Sequence, residues 1–310
     1  MQGRLTETVS QNAAGIDTWP DQRILSALLG GQERAIGAVS AALPDIARAA
    51  DLIAAALGKG GRLIYVGAGS SGIIAALDAL ELPGTFGISP QQALAIIAGG
   101  AASFQRLDGA VEDDAGQARA DIAAAAVGAK DVVLGLSASG ATIYTCAALK
   151  EARARGAATI GMVCNESAPL HQDATIAITL PSGGEVLAGS TRMGAGTAQK
   201  AALNLLSTLV AVKLGHVHDG MMVNVRPENE KLRARAAEIV ARVAQVDLAV
   251  AQDKLRAANF EPKIAILLAA GAASVSDAAS LLTKFQGHLR PALAWLGATP
   301  PNAAKTSGTK

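Results

Sequence analysis

Between Arg62 and Leu180, five short apolar runs alternate with stretches of helical character, and few architectures accept that rhythm. The runs fall at residues 62–66, 93–97, 131–137, 158–163 and 174–180. They have the length and composition of buried strands rather than helices. Helical stretches near 71–80, 104–108, 115–127 and 141–155 separate them. Such alternation predicts an α/β fold: a doubly wound, mostly parallel five-stranded sheet with helices on both faces. Ligands of sheets of this kind bind beyond the carboxyl ends of the strands.

Two of those ends carry the same chemistry. Gly67-Ala68-Gly69-Ser70-Ser71-Gly72 follows the first apolar run, and Ser137-Ala138-Ser139-Gly140-Ala141-Thr142 follows the third. Each reads as strand, Gly/Ser turn, helix. Such a turn aims backbone N–H groups and hydroxyls at an anion held over the positive end of a helix dipole. Gly69, Ser70 and Ser71 in the first loop, with Ser137, Ser139, Gly140 and Thr142 in the second, are candidate phosphate-binding residues. A plain tight turn or a helix cap would use the same residue types. Two such loops together point to a phosphorylated small molecule.

Gly67-x-Gly69-x-x-Gly72 also fits the dinucleotide fingerprint. That motif needs an acid at the end of the next strand, about 20 residues on. Position 87 is Gly87, and the nearest carboxylate, Glu81, precedes any second strand. No Gly-Lys-Ser/Thr loop suited to a nucleoside triphosphate is present. No cofactor is expected.

The flanks are helical. Ile24, Leu25, Leu28, Leu29, Ile36, Val39, Leu43 and Ile46 recur at helical spacing, and Pro44 is placed to begin a second helix. A long helix is expected after Gly189-Ser190-Thr191-Arg192, running to about Leu214. Beyond Pro227 the pattern is helical to near Gly297, with breaks at 259–262 and Gly271. The expected organisation is an N-terminal helical segment over 1–58, a sheet domain over 59–225 and a helical domain over 226–298. The tail 299–310 is expected to be disordered.

Composition narrows the partners. The net charge is +1 and aromatics are 3%, which argues against nucleic acid. The apolar runs are short and interrupted, well below the ~18 residues of a membrane span. The first twenty residues contain no apolar core of a secretory signal, so a cytoplasmic location is expected. The two cysteines, Cys146 and Cys164, read as buried small side chains rather than a disulfide or zinc pair. A mean hydropathy of +0.31 suggests tightly packed Ala-rich helices and an interface between copies.

Several titratable groups could do chemistry. Glu81 lies between Leu80 and Leu82, where partial burial would raise its pKa towards acid/base use. Glu112 lies in Gly109-Ala110-Val111-Glu112-Asp113-Asp114. A solvated charge is the plainer reading of each. Glu185, Ser190, Thr191, Arg192 and Lys200 make a polar lead-in to the long helix, where Ser190 could cap and Arg192 could reach an anion. His216 and His218 beside Asp219 have no third ligand spaced to help, so a metal site is not expected. His171 and His288 are isolated.

The sequence from Arg62 to Gly72, Leu77-Asp78-Ala79 with Glu81, and Pro83-x-Thr85-Phe86-Gly87 resemble the N-acetylmuramic acid 6-phosphate etherases. So do Ile97-Ala98-Gly99-Gly100, Ser190-Thr191-Arg192-Met193, Ala195-Gly196-Thr197-Ala198-Gln199-Lys200 and Asn229-Glu230-Lys231-Leu232. The likeness covers nearly the whole chain. It implies a sugar isomerase (SIS) domain with a C-terminal helical cap, in a homodimer. It also implies cleavage of the D-lactyl ether at C3 of a phosphorylated amino sugar, in peptidoglycan recycling. The family's acid aligns with Glu81 and its base with Glu112, with Gly69, Glu185, Ser190 and Arg192 among the ligand-facing positions.

This chain departs from the family at Ile73, Ala141 and Gly194, where basic residues are usual. A substrate lacking the lactyl carboxylate would explain the loss of three cations. An aldose–ketose isomerase would use the same C2 proton abstraction without a leaving group. A non-catalytic sugar-phosphate sensor acting on a partner protein is the reading from a different class.

Overall fold

The computed structural model describes Thr8 and residues 13–298. The tail expected to be disordered, 299–310, lies outside the described residues. Each apolar run becomes a strand of one parallel sheet: β1 (Leu63–Gly67), β2 (Ala93–Ile97), β3 (Val132–Ser137), β4 (Ala158–Val163) and β5 (Ile176–Thr179). β1 and β3 are buried along their whole length, as strands covered on both faces must be. The spatial order is β2-β1-β3-β4-β5. Gly67 pairs with Ile97 on one side and Leu136 on the other, so β1, β2 and β3 end at one level.

The order reverses between β1 and β3. Successive crossovers leave to opposite sides there and open a crevice at the carboxyl ends. Ile64, Val66 and Val133 pack with Ile122, Tyr144 and Leu149 on one face. These last three belong to α4 (Ala115–Ala124) and α5 (Ile143–Ala154). Tyr65 points to the other face. There its hydroxyl donates to Asp78 of α3 (Gly69–Phe86), 2.7 Å away. Ser207 of α6 (Gly194–Lys213) donates to the same carboxylate at 3.1 Å. The doubly wound reading therefore holds.

α1 (Asp21–Ala38) and α2 (Leu43–Gly58) precede the sheet, with Pro44 in the first turn of α2 where its missing N–H costs nothing. The helix expected near 104–108 is replaced by two 3-10 turns, Gly100–Phe104 and Gly109–Asp113. Gly99 and Gly100, at φ of 78° and 59°, reverse the chain before the first of them.

The chain forms two compact units, residues up to Leu80 with Pro90–Val210, and Glu81–Ser89 with residues from Ala211 onward. The second contains a hairpin of β6 (Val217–His218) and β7 (Met221–Met222), closed by Asp219-Gly220 with both residues at positive φ. Among the described residues five helices follow it: α7 (Glu230–Ala244), α8 (Leu248–Ala257), α9 (Pro262–Ala269), α10 (Val275–Lys284) and α11 (Leu289–Ala298). Their core centres on α9, which is buried from Pro262 to Leu267.

Candidate functional site

Both Gly/Ser loops leave the sheet at the reversal of strand order. In the first, β1 ends at Gly67 and α3 begins at Gly69. A side chain at Gly67 would lie 2.8 Å from the Gly72 Cα, so the turn closes only with glycine. Gly69 takes φ +53° and puts Ser70 and Ser71 into the first helical turn. Four amides at such a terminus have no helical partner. Ser70 is half-buried there. Ser71 is buried, and its hydroxyl donates to Oε1 of Gln199 on α6 at 2.9 Å.

The second loop is a knot of three hydroxyls. Ser137 Oγ lies 2.9 Å from Thr142 Oγ1 and 3.3 Å from Ser139 Oγ. Ser137 accepts from the Gly140 N–H at 3.0 Å and Ser139 from the Ala141 N–H at 3.2 Å. Gly140 has φ +69°, and a methyl there would collide with Ala168 at 2.3 Å. Thr142 precedes α5 without a side-chain capping bond. The knot is thus more than a cap, and Ser139 and Thr142 remain half-buried at its outer side.

Glu112 comes back over the first loop. A β-carbon on Gly69 would stand 2.6 Å from its Oε1. The local sequence explains which acid does this. Asp108 caps the 3-10 turn through the Ala110 N–H, and Asp114 caps α4 through the Gln117 N–H. Glu112 sits between them on the turn, half-buried. At Gly99 a β-carbon would stand 2.6 Å from Ser103 Oγ, whose hydroxyl donates to the Ala98 carbonyl and ties the first 3-10 turn to the end of β2. Burial, and then the neighbouring charge of Asp113, push the Glu112 carboxyl above its ordinary pKa. Partial burial beside an N–H-rich loop is the condition expected of a working base.

The structure gives Glu185 a different task from the ligand-facing one expected. It is 4% exposed, and its oxygens accept from the N–H groups of Gly194 and Ala195, each at 2.9 Å. It is the anionic cap of α6, a role expected for Ser190. Ser190 lies in the turn before that helix, half-buried, and Arg192 is exposed. Gly194 is buried, and a β-carbon there would stand 3.1 Å from Glu185 Oε2 and 3.3 Å from Ala35 Cβ. Glycine at this position lets the helix start close on its cap.

Glu81 is exposed on α3, one turn beyond Asp78. The Asp78 carboxylate, 1% exposed, is held by Tyr65 and Ser207, a pairing that no sequence spacing signals. In the second unit, His216 is pushed down to about 4 by burial, then by Lys263. Lys263 is itself pushed down to about 8 by burial and donates to the Gly287 carbonyl at 3.0 Å. Among the described residues no helix is long and apolar enough to cross a membrane.

A SIS domain matches residues 34–164, which span both loops and Glu112. An N-acetylmuramic acid 6-phosphate etherase of Streptomyces avermitilis is 43% identical over 290 residues, 93% of each chain. One of Halalkalibacterium halodurans is 40% identical over 93% of this chain and 97% of its own. N-acetylmuramic acid 6-phosphate etherase 1 of Enterococcus faecalis is 39% identical over 95% of this chain and 98% of its own.

Proposed function

This chain belongs to the N-acetylmuramic acid 6-phosphate etherases, and on that premise we propose that it is a carbon–oxygen lyase. It cleaves the D-lactyl ether of N-acetylmuramic acid 6-phosphate, giving N-acetylglucosamine 6-phosphate and D-lactate. The observation that carries the residue assignment is the Glu112 carboxylate lying over Gly69 with its pKa raised.

The two loops hold the phosphate, through the α3 amides and the hydroxyls of Ser70, Ser71, Ser137, Ser139 and Thr142. In the open-chain sugar the aldehyde acidifies the C2 proton, so a carboxylate is a sufficient base. Glu112 takes that proton. The C2–H electron pair becomes the C2–C3 double bond, and the C3–oxygen bond breaks. Glu81 gives its proton to the departing lactyl oxygen. Water then adds across the double bond, hydroxyl to C3 and proton to C2, and restores the sugar. Glu81 takes the acid role from its family position.

D-lactate release from N-acetylmuramic acid 6-phosphate tests this directly. The wild type should release lactate, and Glu81→Ala and Glu112→Ala should each abolish it while remaining folded. Binding without lactate would overturn the assignment. Phosphosugars with and without the lactyl group, tested side by side, address the basic residues missing at 73, 141 and 194. Preference for the lactyl ether is expected, since Gly194 here serves the capping contact with Glu185.

We also propose a cytoplasmic homodimer working in peptidoglycan recycling. Leu25, Leu29 and Ile36 of α1 support the assembly, for they recur at helical spacing and are 64%, 58% and 50% exposed. Light scattering at micromolar concentration should give twice the chain mass.

A further inference from the structure

Gln199 is fully buried, and its amide is only half used. Oε1 takes the proton of Ser71, while Nε2 has no partner. A buried N–H without an acceptor is rare in a folded protein. A serine hydroxyl has one proton, so Ser71 cannot give it both to Gln199 and to an anion at the loop. A half-turn of the Gln199 amide removes both difficulties. Nε2 would then donate to Ser71 Oγ, and the Ser71 proton would be released towards the loop. The carbonyl oxygen left behind is the less demanding of the two groups to leave without a partner.

We propose that Gln199 is a positioning residue for the phosphate site, acting through Ser71. With phosphate at the loop, Gln199 donates to Ser71, and Ser71 donates to the phosphate. Gln199 touches no substrate atom. It sets which way the Ser71 proton points, from α6 to the first turn of α3. The idea rests on the proposed phosphate role of the first loop.

A double-mutant cycle on the full chain tests it, reading the KM for the phosphosugar and inhibition by inorganic phosphate. Gln199→Met keeps length and removes both hydrogen-bonding groups. It should raise KM and the phosphate inhibition constant about tenfold, the scale of one hydrogen bond to a charged acceptor, with kcat within about twofold. In a Ser71→Ala background it should add nothing, because the group it acts through is gone. Gln199→Glu accepts only where its carboxyl is ionised, so at high pH it should hold the Ser71 proton and weaken phosphate at least as much, with the loss receding as pH falls. Melting temperatures identify variants that simply lose packing.

An undiminished Gln199→Met effect in the Ser71→Ala background would overturn the inference. So would a change in melting temperature or kcat with KM untouched. If Ser70→Ala and Ser137→Ala also leave phosphate inhibition unchanged, the phosphate site itself is misassigned and this inference falls with it. If those two variants weaken inhibition and Gln199→Met does not, Gln199 alone is misassigned.

Discussion

Glu112 Oε1 occupies the space that a side chain on Gly69 would need, with 2.6 Å between them. The residue that lets α3 begin at positive φ is therefore also the one that admits the carboxylate.

Gly69→Ala should cost activity out of proportion to stability. The methyl must displace Glu112, and a misplacement near 1 Å is worth about a hundredfold in rate. The left-handed backbone adds about 1–2 kcal/mol of strain. We expect kcat to fall about a hundredfold or more while urea unfolding shows a loss of only that size.

The acidic limb of the kcat/KM profile should report Glu112. A base works ionised, so activity falls as pH drops through its pKa, which burial first and Asp113 second hold above the usual carboxylate range. Asp113→Asn removes a negative neighbour and should move that limb to lower pH. A limb that does not move would separate Glu112 from the rate.

Glu185→Ala should act as the loss of a cap. Two charge-assisted hydrogen bonds at a helix N-terminus disappear, costing about 2–3 kcal/mol. With KM little changed after correction for the folded fraction, the capping role stands. A large rise in KM at full stability would return Glu185 to the ligand.

Arg62 and Asp131 should show in the acid stability of the protein. Burial disfavours the Asp131 carboxylate, but the Arg62 hydrogen bond, the Gly128 N–H and the Arg62 charge outweigh it and lower its pKa. A lowered carboxyl pKa adds stability above the unfolded value of about 3.9, lost as pH falls through the folded one. Arg62→Ala, which leaves Asp131 buried with its charge unmatched, should cost about 2–4 kcal/mol at neutral pH. The difference from wild type should shrink below about pH 4 in acid titrations of the fold.

Much of this was legible in the sequence, for identifiable reasons. The strands were read to within two residues because each is an apolar run in a covered parallel sheet. The loops were legible because Gly and Ser fall directly after β1 and β3. The site's closing contacts were not. Glu112 reaches Gly69 across 43 positions by way of two 3-10 turns with no apolar period. Glu185 reads like any other acid until the helix start it caps is in place. The hairpin at 217–222 carries the turn signal Asp219-Gly220, but its strands of two residues each are too short to leave an alternating pattern.

The first loop hangs from β1, which has a parallel neighbour on each side and no edge exposed to water. Amides in such a strand exchange with solvent only when the whole sheet opens. Local fluctuation cannot loosen the anchor in advance. Heat inactivation and sheet unfolding should then follow one curve, and deuterium should reach Tyr65 and Val66 among the last amides in the unit.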